Sequence, residues 1–130
     1  MIVFRSEVLV RKIDRIYTYA ATAFVIYNNA GCPSSEDFIK SLPEDARDSP
    51  IVEDIKAVNR TLENLRRKSG GDDIVKAVLS IYRYNLNNLG ARIKRHSFEA
   101  YADIRTVYRW LECAREEFAR QRGLDNTKMK

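Results

Sequence analysis

Residues 103–109 read DIRTVYR: an acid able to cap a helix, then two arginines, a threonine and a tyrosine within two helical turns. Arginine presents a planar fork of donors that matches guanine O6 and N7, which lysine does less well. The chemistry on offer is recognition rather than bond making. Asp103 can accept the backbone N–H groups of a new helix, with Thr106 inside its first turn. Beyond the cap, Val107, Leu111, Ala114 and Phe118 step by four, three and four, the spacing of a core face. Arg105, Arg109, Glu112 and Glu116 fall on the opposite face. Arg105, Thr106, Tyr108 and Arg109 are therefore expected to cluster at the tip of a helix anchored from behind. A DNA-reading helix needs that arrangement, because its first turns probe base edges while its body is held rigid.

The segment just before, Ala91 to Tyr101, offers Ile93, Phe98 and Tyr101 as inward candidates and Arg92, Lys94 and Arg95 as surface cations. In a helix-turn-helix the first helix crosses the sugar-phosphate backbone, where such cations meet phosphates. The plainer alternative is a solvated face, with Arg105 and Arg109 paired to Glu112 and Glu116 at helical spacing.

Other chemistry finds little support. His96 is the single histidine, so no histidine-based metal cluster can form. Glu112, Glu116 and Glu117 are read as exposed beside arginines, with no cleft to shift their pKa values. SGGDD, residues 69–73, lacks the lysine and the preceding strand of a phosphate loop. No enzyme activity, cofactor or metal is expected. Cys32 and Cys113 stand far apart and outside any C-x-x-C pair, which fits a reducing compartment.

Charge is unevenly spread. The net +5 divides into +2 over residues 1–30, −4 over 31–65 and +7 over 66–130. A polyanion would be drawn to the C-terminal half. IYTYAATAFVIY, residues 16–27, is uncharged but too short to cross a bilayer. The protein is expected to be cytoplasmic.

The elements that must position the tip are all read as helices. Leu9, Ile13, Ile16, Ala20, Ala23 and Tyr27 recur at steps of four and three, with Val10, Tyr17 and Phe24 widening the stripe, which predicts one helix over 3–29. This is a core helix or, because Ala20 and Ala23 permit close approach, a homodimer seam through residues 9–27. Ser34 or Ser35 caps a short helix through Leu42, and PEDARDSP is an acidic loop. Ser49 and Pro50 open a helix lined by Ile51, Ile55, Val58, Leu62 and Leu65, which ends at RRKSGG with Gly70. Asp72 or Asp73 opens another, whose stripe runs through Leu86 and stops at Gly90. Two further helices meet near Ala102 and Asp103. Residues 1–124 are expected to form a single domain, with 125–130 as a frayed tail.

RTVYRWL, residues 105–111, resembles the recognition-helix start of helix-turn-helix regulators and of the promoter-reading region of sigma factors. With IVKAVLSIYRY ahead and AREEFARQRGL behind, the segment is similar to small phage-type late transcription regulators of the ArpU/RinA kind. The resemblance is good over 91–124, loose over 51–90 and absent over the first fifty residues. It implies that Arg105, Thr106, Tyr108 and Arg109 face DNA while Val107, Trp110 and Leu111 face the core. The family pattern places a small residue within the first helix and glycine at the turn. Here Ser97 and Tyr101 stand there, and tyrosine is a poor left-handed former.

The expectation is an all-α compact bundle of about five to six helices, with a helix-turn-helix within 91–122. Its partners would be double-stranded DNA, RNA polymerase and a second copy of the chain. The competing expectation is a helical interaction module, an adaptor or inhibitor that keeps the helix-turn-helix shape without binding DNA.

Overall fold

The computed structural model describes residues 2–124, with side chains from Arg15 onward. Six α-helices and no strand occur among the described residues: α1 Ile2–Asn29, α2 Ser35–Ser41, α3 Pro50–Arg66, α4 Gly71–Ile81, α5 Leu89–Glu99 and α6 Ile104–Arg122. A single 3₁₀ turn, Glu44–Ala46, interrupts the acidic loop. The side chains of Leu9, Val10 and Ile13 of the predicted stripe, and with them the first part of the 9–27 seam, lie outside what is described, as does the tail 125–130.

α6 is the central helix, packing on α1, α3, α4 and α5. Its rear residues Val107, Leu111, Ala114 and Phe118 are fully buried. They meet Ala20, Ala23 and Phe24 of α1, Ile55, Val58, Leu62 and Leu65 of α3, and Val75, Val78 and Ile81 of α4 in one apolar core. Three aromatic rings occupy its middle. Phe24 stacks on Tyr82 with centroids 5.6 Å apart and meets Phe118 at 5.7 Å. Burying three such rings contributes several kcal/mol, since each removes roughly 150–250 Å² from water. The Tyr82 hydroxyl does not go unpaired, because Arg115 Nη1 donates to it at 2.9 Å. Ala20 and Ala23 are buried in this core.

Helix starts follow local chemistry. Ser34 Oγ accepts the Asp37 amide at 3.1 Å, and Pro50 takes the first position of α3, where its missing N–H costs nothing. Ser49 stands at the cap of α3 without bonding, its hydroxyl buried and unpartnered. Between α3 and α4 the backbone turns tightly. Gly70 adopts φ +75°, and a Cβ on Gly71 would lie 1.5 Å from the Leu65 carbonyl oxygen. Asp72 and Asp73 fall in the first turn of α4 rather than at its cap.

One predicted boundary is corrected. The stripe through Leu86 and Gly90 reads as continuous helix, yet α4 stops at Ile81 and Gly90 belongs to α5. Distant side chains bond the backbone at and just past the end of α4. Asn28 Nδ2 donates to Val78 O at 3.1 Å and to Tyr82 O. Asn29 clamps Tyr84 from both sides, accepting its amide at 2.8 Å and donating to its carbonyl at 3.0 Å. The last i−4 bond runs from Tyr82 N–H to Val78 O at 3.2 Å, and beyond it the Asn28 and Asn29 side chains replace the ladder.

Candidate nucleic-acid interface

Asp103 stands at the N-cap of α6 in extended conformation, and its carboxylate accepts the Arg105 amide at 2.8 Å. The first two turns of α6 then divide as their spacing predicts. Val107 and Leu111 are buried, Ile104, Thr106 and Trp110 are half-buried, and Arg105, Tyr108 and Arg109 are exposed. Trp110 packs partly on the core, with its ring edge-on to His96 at 6.3 Å. Neither Arg105 nor Arg109 has a carboxylate within salt-bridge distance among the described residues. Pairing with Glu112 or Glu116 is not what occupies them: Glu116 accepts the Tyr17 hydroxyl at 3.3 Å.

α3 crosses the C-terminal part of α6. Asp54 near the start of α3 pairs with Arg122 at 2.8 Å, and Lys68 beyond its end reaches Glu117 at 3.6 Å. The acidic loop leads into the start of α3, so it lies by the C-terminal end of α6. About 28 Å of helix separates that end from Asp103. The acidic loop therefore does not cover the Arg105–Arg109 tip.

The turn between α5 and α6 is closed by two backbone bonds, Ala102 N–H to Ser97 O at 3.0 Å and Tyr101 N–H to Phe98 O at 3.3 Å. This pair of bonds is the Schellman arrangement, which requires a left-handed residue at the corner. Tyr101 supplies it at φ +54° despite its Cβ. Ser97 reinforces the corner, its hydroxyl donating to Ala102 O at 2.5 Å. The corner thus has the conformation that favours glycine with a tyrosine in it.

Of the predicted phosphate contacts on α5, Lys94 and Arg95 are exposed, and Arg95 pairs with Glu99 at 3.0 Å. Arg92 is different. Its guanidinium donates to Ile81 O at 2.8 Å and Asn85 O at 2.6 Å, and also to Arg83 O and Asn87 O. The reading of Arg92 as a free surface cation is therefore corrected: it neutralises the carbonyl-rich end of α4 and fixes the origin of α5. Its role here is positional.

Two inward assignments also fail. Phe98 is 85% exposed and Tyr101 98% exposed. The spacing contained a warning: Phe98 follows buried Ile93 by five residues, a rotation about 140° away from its face. Glu117, read as exposed, is only 5% exposed. Burial pushes its carboxyl up, but hydrogen bonds from Gln121, Arg120 and Asn64 prevail and hold it down at about 2. The signal was its place three residues after Ala114, at the edge of the core face.

A pH dependence follows from Glu117. Its folded pKa lies below the ordinary 4.5, so its stabilisation is present above pH 4.5 and is lost as pH falls toward 2. The melting temperature is expected to drop across that window, and Glu117→Gln is expected to flatten part of the drop. Identical acid profiles for both proteins would show that the carboxylate contributes nothing.

Among the described residues no helix is long and apolar enough to cross a membrane, and no three metal-ligating side chains gather. No family model, curated protein or solved structure matches the chain.

Proposed function

We propose that the chain is a sequence-specific DNA-binding regulator of transcription, of the phage or prophage type, with α5, the Tyr101 corner and α6 acting as a helix-turn-helix. In this reading α6 enters the major groove. Arg105 and Arg109 read bases, Thr106 and Tyr108 contact the groove wall, and Lys94 and Arg95 on α5 meet phosphates. Arg92 leaves the contact set and acts by holding α5 in place. The observation that carries the reading is the outward cationic tip, unpaired among the described residues, on a helix whose rear is fully buried. A rigid rod can transmit base readout; a frayed one would lose it to entropy.

The interaction-module reading draws on the exposed rings of Phe98 and Tyr101, since large exposed apolar groups mark contact surfaces. Salt dependence separates the two. Anisotropy of a labelled mixed-sequence duplex is expected to show log affinity falling linearly with log salt, with a slope of about −2 for the two cations placed on phosphates. No binding at low salt, or a slope near zero, would defeat the DNA reading.

A further inference from the structure

The ends of three helices close on the same pair of backbone bonds. At α1 the left-handed corner is Gly31, with Gly31 N–H to Asn28 O and Cys32 N–H to Tyr27 O. At α6 it is Gly123, with Gly123 N–H to Arg120 O and Leu124 N–H to Ala119 O. At α5 it is Tyr101. Any residue with a Cβ meets a steric penalty there, and glycine does not. Tyr101 recovers none of that penalty inside the molecule, because its ring is 98% exposed and meets no other ring or polar partner among the described residues. Phe98, one turn earlier and 85% exposed, is equally unengaged. Two aromatic side chains therefore project from one corner into solvent.

Their surroundings say what they meet. Lys94 shares the helical face of Phe98 at a spacing of four, and Tyr101 stands two residues before the α6 cap that presents Arg105 and Arg109. Exposed rings beside cations are the combination that holds unstacked bases, the rings taking the base face and the cations the phosphates. An apolar peptide partner would gain nothing from those cations.

We propose that Phe98 and Tyr101 form an aromatic prong that stacks on nucleobases unstacked or unpaired beside the duplex held by α6, so that a duplex with exposed bases is the preferred ligand. The prong rests on the helix-turn-helix reading and adds a substrate class to it. Stacking a base on an aromatic ring changes affinity by about tenfold or more.

The test uses a fluorescein-labelled mixed-sequence duplex and the same duplex carrying a central unpaired bulge. The wild-type chain is expected to bind the bulged form about tenfold tighter. Phe98→Ala is expected to remove most of that preference while leaving affinity for the paired duplex unchanged, and Tyr101→Gly is expected to remove it as well. Tyr101→Gly relieves the left-handed corner, so its melting temperature should hold or rise, which excludes misfolding as the cause. Equal wild-type affinity for both duplexes overturns the prong and leaves the helix-turn-helix reading standing. Binding to neither overturns both. A wild-type dimer that Phe98→Ala converts to monomer in sedimentation would give the rings to a second copy and also overturn the prong.

Discussion

Arg105→Ala and Arg109→Ala are each expected to weaken binding to a duplex selected from a random pool by about 1–3 kcal/mol, with the double variant near background. Both side chains are exposed and make no ion pair among the described residues, so the fold should not notice their loss. Stability changes are expected to stay within about 0.5 kcal/mol. The lysine variants separate two modes of contact. Arg105→Lys keeps the charge but not the fork, so a base-reading arginine loses specificity while a phosphate-binding one loses little. If selected-site affinity is untouched in the double alanine variant, the tip is not the interface, whatever else binds DNA.

Gly71→Ala is expected to be among the most damaging single-methyl changes, at roughly 3 kcal/mol or more. The added carbon would sit 1.5 Å from Leu65 O and 2.6 Å from Leu65 C. Both are backbone atoms of a fully buried residue in α3, so relief requires α3 and α4 to separate. Both helices pack on α6, and the core would open with them. Gly90→Ala is the control. No atom lies within 4 Å of its would-be Cβ, and it sits inside α5, so alanine is expected to stabilise by about 0.5 kcal/mol. Urea midpoints decide the matter. A Gly71→Ala protein as stable as wild type would mean that the α3–α4 turn relaxes without cost.

Much of this molecule can be read from its sequence, because helical periodicity is a local property. The stripe of Val107, Leu111, Ala114 and Phe118 and the cap at Asp103 need only neighbours a few residues away, and both stand in the structure as read. The same holds for the Ser34 cap and for Pro50 at the start of α3. The outward placing of Arg105, Tyr108 and Arg109 follows from that stripe alone, since a helix that buries one face must show the other.

The misreadings share a different cause: each depends on a polar group meeting a partner from far along the chain, or on a solvent boundary. α4 ends early because Asn28 and Asn29, more than fifty residues away, take its closing carbonyls and the backbone just beyond. Arg92 is lost to the phosphate-contacting set because that same end draws in its guanidinium. Glu117 is buried because Asn64 and Lys68, brought across by α3 and the residues just after it, complete its shell. Tyr101 turns left-handed where its own preference argues against it, because two backbone bonds and the Ser97 hydroxyl close the corner around it. Periodicity alone determined which faces are apolar and where the cationic tip lies. Which carbonyls, carboxylates and rings are engaged or left in solvent was settled only when distant segments competed for them in three dimensions.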